Sequence, residues 1–181
     1  MSKTIQKIWN AITTILVGAA VLLAVLLAGV RLIGLTPYAV LSGSMEPSYH
    51  VGSLIYVQKV APEEIRVGDP ITFVLNEELL VATHRVIEID AANQHFYTKG
   101  DANNAPDAMP VHYNNLVGRP AFTIPRLGYV SSFLGTRSGM MLAGTAVIVI
   151  LILVFVPDML KAADRADAKA KSRKKRPKPE V

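Results

Sequence analysis

Three short stretches of this sequence hold side chains that could do covalent chemistry together. Val40–Pro47 reads VLSGSMEP and sets Ser42, Gly43 and Ser44 in a row. A serine hydroxyl becomes a nucleophile only with a base in hydrogen-bond reach and with donors for the oxyanion its attack creates. Gly43, lacking a Cβ, would let a peptide backbone approach closely. The base must come from elsewhere in the chain. Of the four histidines, His50, His84, His95 and His112, His84 lies in a strand-like run where Thr83 and Arg85 turn to the opposite face. An imidazole titrates near neutrality and suits proton transfer. The loop Lys99–Asp107 (KGDANNAPD) adds Asp101 and Asp107, either of which could orient an imidazole as the third member of a triad. Each stretch has a plainer reading alone: a Ser-Gly-Ser turn, a histidine facing a core, a polar loop.

Composition narrows the chemistry. There is no cysteine, which excludes a thiol nucleophile, a thiolate zinc site and a disulfide framework. No two histidines have the i, i+4 spacing of a helical metal site, and no carboxylate cluster supports one, so neither metal nor cofactor is expected.

The elements that must position these groups follow from hydropathy and charge. Hydrophobic residues make up 51% of the 181, and mean hydropathy is +0.34, both high for a soluble domain. Ile8–Val30 is uncharged, preceded by Lys3 and Lys7 and followed by Arg31. It is long enough to span a bilayer and longer than a cleavable leader's apolar core. Gly139–Val156 is a second uncharged run, ended by Pro157 and Asp158. The net charge of +5 sits at the two ends, whereas residues 31–138 carry eight basic and ten acidic residues. That distribution argues against nucleic acid, which needs charge on a folded face. The tail from 157 to 181 reads as disordered. Its run Arg173-Lys174-Lys175-Arg176 reads as a positive-inside anchor touching anionic lipid. The expected organisation is a cytoplasmic N-terminus (1–7), a transmembrane helix (8–30), an extracytoplasmic β domain (35–138), a second transmembrane helix (139–156) and a basic cytoplasmic tail (157–181). Inside 35–138, strands are expected at Gly52–Val60, Ile71–Leu75, Leu79–Ile89, Gln94–Lys99 and Leu116–Ile124. Asn76–Glu78 would form a turn, and Pro120 marks an edge or a bulge. The fold class is mainly β, a small barrel or sandwich flanked by two membrane helices, with helix largely confined to the membrane.

Taken in order, the blocks VLSGSMEP (Val40–Pro47), VGDPITF (Val67–Phe73), THRV (Thr83–Val86), TKGDANNAPD (Thr98–Asp107) and VGRPAFTIPRLGYV (Val117–Val130) resemble those of the type I signal peptidase family. His84 stands where the best-known bacterial branch has a lysine base. This resembles the endoplasmic-reticulum, archaeal and sporulation-associated branch, which pairs serine with histidine. Pro70 departs from the aliphatic residue more usual in the second block, so the strand there is expected to start one residue later.

The resemblance implies a small, barrel-like signal peptidase domain and a membrane-bound serine endopeptidase. Such an enzyme removes signal peptides from exported preproteins after a small-x-small motif. It implies Ser44 as nucleophile, His84 as general base, Asp107 as the principal aspartate and Asp101 as a supporting one. Ser42 and the Ser44 backbone N–H would form the oxyanion hole, and Val40, Leu41, Val81 and Ala82 would hold substrate. Implied partners are preprotein signal peptides, the lipid bilayer and, as an associate, the secretion translocon. The implied location is the cell membrane, or that of the endoplasmic reticulum in a eukaryote. Two rival readings stay open: a same-fold peptidase dedicated to one exported substrate such as a pilin or matrix protein, and an inactive membrane-tethered binding module.

Overall fold

The computed structural model of the chain describes residues 3–75 and 80–174. The expected turn at Asn76–Glu78 and the end of the basic tail, 175–181, lie outside the described residues. The chain divides into two compact units, residues 1–22 with 138–181, and residues 23–137.

The first unit is helical. It holds most of α1 (Lys3–Leu27) and α3 (Arg137–Lys174). Within them, Thr4–Leu27 and Arg137–Pro157 are long and apolar enough to cross a membrane, with mean hydropathies of 2.4 and 2.8. Side chains such as Ile15, Val21, Val147 and Ile148 are exposed. The tail departs from expectation. α3 does not stop at Pro157 but continues to Lys174. Proline removes one helical hydrogen bond, and the alanine-, lysine- and arginine-rich stretch beyond it consists of strong helix formers that carry the helix on.

The second unit is a curled antiparallel sheet, a half-barrel rather than a sandwich. Its strands are β1 (Leu35–Ala39), β2 (Leu54–Gln58), β3 (Pro70–Val74), β4 (Val81–Asp90), β5 (His95–Lys99), β6 (Val111–His112) and β7 (Leu116–Ile124). Their spatial order is β1-β2-β7-β3-β4-β5-β6. Alternation builds one core: Ile71 and Phe73 of β3, Val86 of β4, Phe96 of β5 and Val111 of β6 meet with Ile65. Each such fully buried large side chain contributes about 1.5–3 kcal/mol. β2 is buried along most of its length, Leu54 to Val57. Leu54 and Tyr56 pack with Val30, so the segment after α1 belongs to the sheet unit. The Tyr56 hydroxyl donates to the Leu26 carbonyl at 2.9 Å, serving a helix-end carbonyl that has no partner within the helix.

Proline positions explain several boundaries. Pro120 lies in a bulge, not on an edge. Val57 faces Pro120 while Tyr56 faces Phe122, so Ala121 is the extra residue. Pro70 begins β3 opposite Arg85, so the strand is not shortened by one residue; a first position tolerates a missing N–H. β1, which contains Pro37, is an edge strand and was not expected. Nor was α2 (Leu127–Leu134), a helix inside the sheet unit.

Candidate active site

Ser44 lies in the turn that follows β1. The turn is closed by Glu46 N–H to the Gly43 carbonyl (3.0 Å) and Tyr49 N–H to the Met45 carbonyl (2.9 Å), with Met45 buried. His84 sits in β4 opposite Ile71, its ring edge-on to Phe73 with centroids 6.2 Å apart. Asp107 ends a loop that returns to β5, its N–H donating to the Thr98 carbonyl at 2.9 Å.

These three meet. His84 Nε2 is 3.1 Å from Ser44 Oγ, and His84 Nδ1 is 2.6 Å from Asp107 Oδ2. The Thr98 hydroxyl donates to that same carboxylate oxygen at 2.7 Å. A carboxylate only accepts, so in the neutral imidazole Nδ1 carries the proton and the Nε2 lone pair faces the serine hydroxyl. The His84 and Asp107 side chains are 15% and 22% exposed, enough seclusion to limit solvent screening while leaving an approach for a substrate. The Ala102 N–H donates to the Ser44 carbonyl at 2.9 Å, tying the acidic loop to the Ser44 backbone. Ser42 Oγ stands 3.4 Å from Ser44 Oγ.

Asp101 is engaged differently. Arg85 grips it with two bonds, Nε to Oδ1 at 2.8 Å and Nη2 to Oδ2 at 2.6 Å, while the Ser48 hydroxyl adds a third at 2.5 Å. Arg85 Nη1 also donates to the Gly68 carbonyl at 2.7 Å. Hydrogen bonding from Arg85 holds the Asp101 carboxyl below the usual aspartate range, against the opposing effect of burial. Neighbours on a strand face opposite ways. The loop after β5 therefore straddles β4, with Asp107 reaching His84 and Asp101 reaching Arg85. Burial raises the pKa of nearby Tyr49.

The sequence reading missed Arg85, Ser48 and Thr98. A signal for Arg85 was present: two carboxylates in one loop need two partners, and THRV offers an imidazole and a guanidinium side by side.

A cleft of about 620 Å³ opens beside Ser44 and His84. Val40, Leu41, Val81 and Ala82, all expected to contact substrate, line it. So do Ile55 of β2 and Ser132 of α2. Leu41 stands at its lip, 80% exposed. Among the described residues, no group of three or more His, Asp or Glu side chains is arranged to hold a metal ion.

The family model described as signal peptidase, peptidase S26, matches residues 12–102. The chain is 44% identical over 86 residues to signal peptidase I W of Bacillus subtilis (strain 168), covering 46% of this chain and 45% of that one. It is 32% identical over 102 residues to the human signal peptidase complex catalytic subunit SEC11C, covering 51% and 53%. The chain thus spans about half the length of these curated relatives.

Proposed function

Because the chain belongs to the type I signal peptidase family, peptidase S26, we propose that it is a membrane-bound serine endopeptidase that removes signal peptides from exported preproteins. The observation that carries this reading is the continuous hydrogen-bond chain from Ser44 through His84 to Asp107, 3.1 Å and 2.6 Å long, beside an apolar cleft. A binding module without activity would have no use for that alignment.

In the proposed reaction a signal peptide lies extended in the cleft, pairing through its backbone as an added strand. The cleft takes small side chains one and three residues before the cut, the small-x-small pattern. His84 Nε2 removes the proton from Ser44 Oγ as the oxygen attacks the scissile carbonyl. Asp107 stabilises the imidazolium that forms. The Ser44 N–H and the Ser42 hydroxyl are the donors for the oxyanion. His84 Nε2 then hands its proton to the leaving amine. Water, deprotonated by the same nitrogen, attacks the acyl-enzyme; Nε2 then returns that proton to Ser44 Oγ as the ester bond breaks and the signal peptide leaves with a new carboxyl group. In this reading Asp101 positions the loop through Arg85 rather than touching the imidazole.

The two apolar helices would anchor the enzyme in the membrane with both termini cytoplasmic, raising its effective concentration at membrane-tethered substrates. The test uses the full chain in liposomes with a preprotein bearing an Ala-x-Ala site. Wild type cleaves at that site, and Ser44→Ala and His84→Ala do not. Turnover by Ser44→Ala would overturn the assignment.

A further inference from the structure

The segment that holds Ser42 and Ser44 has no regular secondary structure of its own, so something must keep its oxygens in place. Its entry is fixed at Val40, whose N–H donates to the Ser53 carbonyl and whose carbonyl accepts from the Gly52 N–H, both at 2.9 Å. Gly52 is buried and adopts φ +81, a backbone conformation natural to glycine. The Tyr129 ring of α2 lies directly over its Cα, where a methyl group would overlap ring carbons. Tyr129 N–H donates to the Gly52 carbonyl at 3.3 Å, and its hydroxyl reaches the Val51 carbonyl at 3.4 Å. Gly128 sits against the Gly52 and Ser53 carbonyls, leaving no room for a side chain. Three residues beyond Tyr129, Ser132 lines the cleft.

We infer that α2 is a strut for the nucleophile segment and that Tyr129, closing over Gly52, is a positioning residue for Ser42 and Ser44. The inference rests on the hydrolytic reading of Ser44. The path is short: the Tyr129 ring bears on Gly52, Gly52 is bonded to Val40, and Ser42 lies two residues further on. The ring, not the hydroxyl, does the holding, because the hydroxyl bond is long and Tyr129 is 59% exposed overall. A misplacement near 1 Å at a reacting group costs about 100-fold in rate, so a loosened Val40 hinge shows in turnover before it shows in binding.

The test compares full-length wild type, Tyr129→Ala and Tyr129→Phe in liposomes, by preprotein cleavage and by amide hydrogen exchange. Tyr129→Ala should lower kcat by about 10- to 100-fold with KM little changed. Tyr129→Phe should restore wild-type turnover. Exchange in residues 38–53 should quicken in Tyr129→Ala alone, while β3 to β5 stay protected. Exchange needs no activity, so a silent wild type would defeat the hydrolytic reading and still leave the strut on trial. Unchanged kcat in Tyr129→Ala, equal losses in the alanine and phenylalanine variants, or unchanged exchange at 38–53 would each overturn the inference.

Discussion

Replacing Asp107 by asparagine should cost about three orders of magnitude in turnover. In the proposed reaction His84 becomes an imidazolium as Ser44 attacks, and its Nδ1 lies 2.6 Å from Asp107 Oδ2. With charge centres about 4 Å apart and an effective dielectric near 20, the attraction is about 4 kcal/mol. That dielectric suits a pair in which 15% and 22% of the side chains are exposed. At 1.36 kcal/mol per decade this is roughly a 10³-fold change in kcat. Substrate binding does not draw on the imidazolium, so KM should hold. The variant should fold, because Thr98 can still bond the amide oxygen and the Asp107 N–H still meets the Thr98 carbonyl. The assay is single-turnover cleavage of a radiolabelled preprotein in liposomes, with circular dichroism as the folding control. A folded Asp107→Asn enzyme within tenfold of wild type would refute the role given to this carboxylate.

Asp101→Asn should lower stability by about 1–2 kcal/mol at neutral pH, a discounted figure for a bidentate but partly exposed pair, and slow cleavage much less than Asp107→Asn does. Its pH signature has a definite sign. Arg85 depresses the folded-state pKa of Asp101, so the stabilisation is full above the unfolded value of about 3.9 and fades as pH falls below it towards the folded value. The thermal-midpoint gap between wild type and variant should therefore narrow in acid; a gap constant from neutral to acid pH would count against the pair. Ser42→Ala should reduce kcat by about 10²-fold if its hydroxyl serves the oxyanion, and an unchanged kcat would remove it from the site.

Much of this arrangement was legible in the sequence because it depends on local pattern. β7 begins and ends where its apolar run does, and β4 and β5 match within two residues at either end. Ser44 and His84 were singled out by the resemblance of VLSGSMEP and THRV to family blocks, since each stretch alone has a plainer reading. The choice between Asp101 and Asp107 could not be made that way. Both lie in one loop, and what separates them is the face of β4 each reaches and the Thr98 hydroxyl, a matter of three-dimensional register. β1 was hidden by Pro37, which is tolerable only because the strand lies on an edge. α2 was hidden because LGYVSSFL is short and has no charged face. The length of α3 was misread because Pro157 was taken as a terminator, when the helix formers beyond it outweigh one lost hydrogen bond.

The place of β7 makes the two halves of the sheet meet on the last strand of the chain. Ser44 follows β1 and His84 lies on β4, four positions apart in the sheet order. At about 4.8 Å per strand that is roughly 19 Å across a flat sheet, a span bridged by the curl of the sheet together with the chain from Ala39 to Ser44. The strand that joins the β1-β2 half to the β3-β4-β5-β6 half is β7, the last to be made. Apart from β7, the Ser44 segment is tied to the β4-β5 side through loop contacts such as Ala102 N–H to the Ser44 carbonyl and Ser48 to Asp101. The alignment of Ser44 with His84 on which the proposed reaction depends thus draws on the whole length of the sheet, with its final strand at the centre.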